Sequence, residues 1–148
     1  MWLELIAEWA KTSEMPLETA PPAASIAITA LESSLSVTLP AELKAFLKET
    51  DGLYSNYDIH LMWPVQRIEQ ENSWFRQEPT LKETCMPFDS LLFFADAGNG
   101  DQFAYAVLNG VVRHSRIYAW NHEDDSRTCI APSLQWFLDR WLTGNLRV

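Results

Sequence analysis

Apolar positions recur along the chain with two different periods, and the change of period marks the architecture. Trp2, Leu5, Ile6 and Trp9 stand at i, i+3, i+4, i+7, the stripe of a short amphipathic helix. Pro16, Pro21 and Pro22 then interrupt any regular element and predict a linker or extended connection. Ile28, Leu31 and Leu35 predict a second helix from about Ser25 to Ser34. Leu39-Pro40 opens a third, with Pro40 at the first helical position, Glu42 in the first turn, and Leu43, Phe46 and Leu47 as its inner stripe. Asp51-Gly52 ends it, with Gly52 as the expected left-handed cap.

Asp58 to Trp63 reads as a strand stopped by Pro64, which starts a helix to about Arg76 with Val65, Ile68, Asn72 and Phe75 facing inward. Gln77 to Asp89 shows no period and is expected to be a loop. Leu91 to Ala95, Gln102 to Val107 and Val111 to Trp120 are strand-like runs separated by Asn99-Gly100 and Asn109-Gly110. Asn-Gly between such runs predicts type I′ hairpins, because both turn positions need positive φ. A polar reversal, Asn121 to Ser126, leads to a fourth strand at Arg127 to Ile130. Leu134, Phe137, Leu138 and Trp141 then make a last helical stripe, closed by Gly144, with Trp141 expected in the core. The fold class is α+β: N-terminal helices, an antiparallel β-meander and a C-terminal covering helix. One domain over residues 1–148 is expected, with 1–24 as a helix and Pro-rich linker ahead of it.

The 148 residues suffice for one buried core. No export signal or apolar run long enough to span a bilayer is seen, and Cys85 and Cys129 form no metal or redox motif. A cytoplasmic protein with reduced thiols is therefore expected. The net charge is −9. Residues 1–74 hold eleven acidic and four basic residues, against nine and seven in residues 75–148. Such a surface repels phosphate backbones and attracts a basic partner.

Catalytic chemistry finds little support. His60, His114 and His122 fall in no metalloprotease or deaminase spacing, and no nucleophile elbow or phosphate loop occurs. Asp96 to Asp101 superficially resembles a calcium loop, but glycine stands at the third position, where an oxygen ligand belongs, and the twelfth position lacks glutamate. No enzyme activity, metal or cofactor is expected. Gly98, Asn99, Gly100 and Asp101 instead suit a tight turn. The first and third reversals of a meander emerge at one sheet end, so Asp96, Asp101, Glu123, Asp124 and Asp125 are expected to gather around Trp120, a first candidate partner surface in which an aromatic anchor beside carboxylates suits an Arg- or Lys-bearing partner. A second candidate partner surface combines Asp51, Tyr54, Tyr57, Asp58, Glu69 and Glu71, where tyrosines interleave with acids, and it is the favoured one.

Leu31-Glu32, Leu35, the run Leu39-Pro40-Ala41-Glu42-Leu43-Lys44-Ala45-Phe46-Leu47, and Asp51-Gly52 resemble the N-terminal signature of the SUKH superfamily. A second stretch, Phe93 to Asp101 with Tyr105 and Ile117 to Glu123, and a third, Ala131 to Leu134 with Phe137-Leu138, resemble the later signatures in the same order. The resemblance covers about residues 25–142. It implies an α+β domain whose bacterial members mostly serve as immunity proteins beside polymorphic toxins, many of them nucleases. It therefore implies a non-enzymatic protein whose partner is a cognate toxin domain, with an intracellular scaffold or regulator as the alternative role. It also implies that Gly98, Asn99, Gly100, Asp101, Trp120 and Glu123 belong to the scaffold.

Overall fold

The computed structural model describes residues 1–56 and 59–148. Among the described residues six helices and seven strands follow in the order α1 (Trp2–Ala10), β1 (Glu18–Thr19), α2 (Ser25–Leu35), α3 (Ala41–Glu49), β2 (Leu53–Ser55), β3 (Ile59–Met62), α4 (Val65–Gln77), α5 (Pro79–Thr84), β4 (Leu91–Asp96), β5 (Gln102–Ala106), β6 (Ile117–Trp120), β7 (Arg127–Ala131) and α6 (Leu134–Leu142). A 3₁₀ turn at Phe88–Ser90 leads into β4. The architecture is α+β, as the two periods require. Among the described residues no helix is long and apolar enough to cross a membrane.

β4 to β7 form the antiparallel meander in sequence order, and β1, β2 and β3 form a smaller antiparallel sheet beside it. The Trp63 N–H donates to the Phe94 carbonyl at 2.9 Å and links the two. β4 is buried on both faces. On one face Phe93 meets Phe75 of α4, Phe88 and Trp120 at ring separations of 4.8, 5.8 and 5.8 Å. On the other, Phe94 and Phe103 meet Phe137 of α6 at 5.9 and 4.7 Å. Strand periodicity puts alternate side chains on opposite faces, so the sheet separates α4 from α6.

Several elements depart from their sequence reading. Pro40 and Pro64 each sit one residue before the first helical residue, with extended ψ of 144° and 163°. Gly52 does not cap α3, which ends at Glu49 with Thr50 extended. Its φ of +94° forms the bend into β2, where a Cβ would lie 2.9 Å from the Met62 carbonyl oxygen. β2 and β1 are too short to show a period, and residues 77–89 contain α5, whose Pro79 occupies the first helical position. The strand expected from Asp58 is β3, and Asp58 itself lies outside the described residues.

The two Asn-Gly reversals also differ. At the second, Asn109 and Gly110 have φ of +51° and +75°, and Leu108 and Val111 exchange both backbone hydrogen bonds, as a type I′ turn demands. The strand expected from Val111 onward pairs only there and resumes at Ile117, because the Gly110 carbonyl accepts from the Thr38 N–H and docks the turn between α2 and α3. The first reversal is a five-residue loop from Ala97 to Asp101, in which Gly98 and Gly100 have φ of +85° and +103° while Asn99 does not. Asp96 and Asn99 side chains accept from the Gly98 and Asp101 N–H groups and hold this wider loop.

Gly100 cannot be replaced without strain. A Cβ there would lie 3.0 Å from the His122 ring, and its φ is one that side chains rarely adopt. Gly100→Val is expected to lower stability by about 1–3 kcal/mol, read as a fall in the thermal midpoint. An unchanged midpoint would show that the loop relaxes without this conformation.

α6 begins on Ser133, whose Oγ accepts from the Trp136 N–H. It ends in a Schellman motif, Asn145 N–H to the Arg140 carbonyl and Gly144 N–H to the Trp141 carbonyl. Trp141 is half-buried, stacked 10° from the Phe137 plane and edge-on to Phe103, while Leu142 is buried. α1 packs Trp2 against Phe46 and fastens the Trp9 indole N–H to Asp139, so the first helix covers α3 and α6.

Candidate functional site

The sheet end that carries the first and third reversals brings some of the expected acids together and turns others away. The Asp101 carboxylate, 7% exposed, accepts from the His122 N–H at 3.1 Å and pairs with its ring at 2.6 Å. Trp120 is 5% exposed and sits edge-on to Phe75 and Phe88. It is therefore a core residue, and the expectation of a surface anchor at Trp120 is corrected by its burial. Its indole N–H donates to Asp125 at 2.7 Å, and Asp125 also accepts from the Met86 N–H and pairs with Arg127. Burial pushes the Asp125 carboxyl up, but the Met86, Trp120 and Arg127 hydrogen bonds and the Arg127 charge outweigh it and hold the group below its ordinary value.

Asp96 does not join this group. Its carboxylate accepts from the Trp63 indole at 2.8 Å and from Arg67 at 3.0 Å. The Asp124 carboxylate accepts from the Ser126 N–H, which lowers its pKa. Glu123 and Asp124 are exposed, and they are the acids of this loop open to solvent.

The second surface is built along α4. Asp51 accepts from the Val65 N–H at 2.8 Å, in the first turn of the helix, where the dipole favours a negative charge. Tyr54 donates to the Asp51 carbonyl and lies edge-on to His60, and burial with the nearby Asp51 charge raises its pKa. Tyr57 and Asp58, assigned to this surface from sequence, lie outside the described residues. Glu69 accepts from the Ser34 hydroxyl at 3.1 Å. Glu71 pairs with Arg67 at 3.6 Å, and Arg67 lies over the Trp63 ring at 4.6 Å while binding Asp96. A Glu71–Arg67–Asp96 chain thus runs from α4 to the end of β4.

Trp74 was missed by the sequence reading. It is 52% exposed and borders an open hollow with Gln70 and Glu71. The helical period already places it outside the inner stripe, because it precedes Phe75 and so projects about 100° around the helix from it. An exposed indole beside a carboxylate is a surface suited to a guanidinium or ammonium group, which is attracted by both.

A family model described as SUKH_6, SMI1-KNR4 cell-wall, matches residues 26–138, from α2 into α6. α1 and the proline-rich segment lie outside the match. A search of curated proteins found no match to the chain.

Proposed function

Because the chain belongs to the SUKH superfamily, we propose that it acts by binding another protein, as a cytoplasmic immunity protein that occupies and blocks a cognate basic toxin domain. The observation that carries this reading is Trp74, half exposed on α4 beside Glu71 in a chain of net charge −9. Solvent gains nothing from an exposed indole, whereas a partner's arginine gains both a ring face and a carboxylate. The acidic surroundings speed encounter with a basic surface. On this reading the protein performs no chemistry and needs no cofactor; inhibition follows from occupation. The cell-wall wording of the family description favours a second reading, an intracellular regulator or scaffold with a partner other than a toxin.

The test is coexpression with any toxin domain found encoded beside it, scored for growth rescue and for a 1:1 complex. Trp74→Ala is expected to weaken that complex by about 2 kcal/mol, roughly thirtyfold in Kd. Glu71→Lys is expected to slow association several-fold at low salt, with the difference fading as salt rises. A toxin complex indifferent to both changes moves the interface to the loop bearing Glu123 and Asp124. Failure of any adjacent toxin domain to bind favours the regulator.

A further inference from the structure

Between the last turn of α4, α5 and the 3₁₀ turn lies a cleft of about 300 Å³. Its inner wall is aromatic: Phe75 and Phe88 are buried and meet edge-on at 5.2 Å. Leu81 and Cys85, both half-buried, face it from α5 and the residue after it. The opposite wall is held rigidly. Arg127 donates to the Met86 and Pro87 carbonyls at 2.8 and 3.1 Å, and Asp125 accepts from the Met86 N–H. The cleft is therefore preformed, as ligand sites usually are.

Two cations line this apolar space in an otherwise acidic protein: Lys82, which is exposed, and Arg76. Arg76 has an unusual set of partners. Its two terminal nitrogens donate to the Leu35 and Leu91 carbonyls at 2.9 and 3.1 Å, which are neutral acceptors. Its Nε is buried and has no hydrogen-bond partner among the described residues. Asp89 stands 3.8 Å from Nε, beyond hydrogen-bond reach, with its side chain 80% exposed. Burial accordingly lowers the Arg76 pKa, and Asp89 offsets it only in part. A sequestered guanidinium with a free N–H and a loosely held counter-ion favours an acceptor that brings its own negative charge.

We propose that this cleft binds an apolar carboxylate, seating an aromatic or branched body against Phe75, Leu81 and Phe88 and placing its carboxylate beside Lys82 and the Arg76 guanidinium, in the place of Asp89. The apolar wall disfavours a strongly hydrated phosphate, and the two cations disfavour an amine. The same chemistry is offered by a free aryl or alkyl acid and by the C-terminal carboxylate of a peptide ending in an apolar residue. The site is separate from the Trp74 and Glu71 surface of the proposed function, and its outcome does not depend on that reading.

The experiment uses the full chain with Cys129→Ser, which leaves Cys85 as the single thiol and a reporter of cleft occupancy. 3-Phenylpropionate is expected to bind with a roughly millimolar Kd, in keeping with so small a ligand, and to slow iodoacetamide alkylation of Cys85 several-fold at about 10 mM. The uncharged 3-phenylpropionamide is expected to bind about tenfold more weakly, since it lacks the charge-assisted hydrogen bond. Lys82→Glu, an exposed change that leaves the fold intact, is expected to weaken the acid and not the amide. Leu81→Trp, which fills the cleft, is expected to weaken both. A short peptide ending in phenylalanine, compared as free acid and amide, separates the sources: tighter binding of the peptide acid than of phenylpropionate assigns a protein chain end, and equal or weaker binding assigns a free acid. Equal binding of phenylpropionate and its amide, unchanged Cys85 alkylation, or undiminished binding in Lys82→Glu overturns the proposal.

Discussion

Replacing Asn72 by leucine is expected to destabilise the protein by about 3–5 kcal/mol, because it strands buried backbone groups of β4, the first strand of the meander. Asn72 is 1% exposed in the middle of α4, where a helix of this stripe would ordinarily place an aliphatic side chain. Its amide acts as a substitute strand. Oδ1 accepts from the Phe93 N–H at 2.9 Å, and Nδ2 donates to the Phe93 carbonyl at 2.9 Å and to the Ile68 carbonyl at 2.7 Å. β4 needs this help because its ladder with β5 slips between Phe93 and Ala95. Leucine fits the space and lacks every one of these partners. Asn72→Asp keeps the acceptor for Phe93, loses both donations and buries a charge, so it is expected to be no milder. Urea unfolding measures the loss, and amide exchange at Phe93 locates it. A shift below about 1 kcal/mol would mean that water or a moved backbone takes over these bonds.

Glu42→Ala is the second large effect, expected at about 2–4 kcal/mol, and it acts between elements far apart in sequence. One Glu42 oxygen accepts from the Tyr105 hydroxyl at 3.0 Å and from the Leu134 N–H at 3.1 Å, joining α3, β5 and the start of α6. Tyr105 is fully buried, and burial with the neighbouring Glu42 charge and hydrogen bond raises its pKa well above the usual phenol value, so its hydroxyl keeps its proton and needs an acceptor. Alanine removes the acceptor, while glutamine retains one and is expected to cost far less. The pair also carries a pH signature. Burial raises the Glu42 pKa above 4.5 despite the opposing Leu134 and Tyr105 hydrogen bonds. A carboxyl raised on folding contributes stability below its unfolded value and loses it as pH rises through its folded value. The wild type is therefore expected to gain on Glu42→Gln as pH falls into the range just above 4.5. A stability difference between the two that stays flat from neutral pH to pH 4.5 would count against a raised Glu42.

These two residues also separate what is legible in a sequence from what is not. Glu42 reads locally as a first-turn acid favoured by its own helix dipole, yet its carboxylate serves the first turn of α6. Asn72 falls on an apolar stripe and reads as an exception to it. Trp120 and Asp125 read as an anchor and an acid on a loop, and packing makes them a buried ring and its acceptor. Asp96 reads as a member of the same cluster, but Trp63 and Arg67 claim it from β3 and α4. Trp74 was within reach, because its offset from Val65, Ile68, Asn72 and Phe75 follows from helical geometry alone.

The α+β class, the stripes of α1 to α4 and α6, the meander and the Asn109-Gly110 turn are all legible in the local pattern of the chain. Each of these follows from rules that act over a few residues: side chains at i, i+3 and i+4 share a helix face, alternate residues share a strand face, and a type I′ turn needs positive φ. Where the polar groups go, which acids stay exposed, and the opening of a cleft lined by Arg76 and Lys82 against Phe75 and Phe88 come instead from the packing of distant segments. A buried donor or acceptor must find a partner wherever the fold brings one, and that partner is usually far away along the chain. Periodicity therefore reports which face turns inward, but not what the polar atoms on that face meet there.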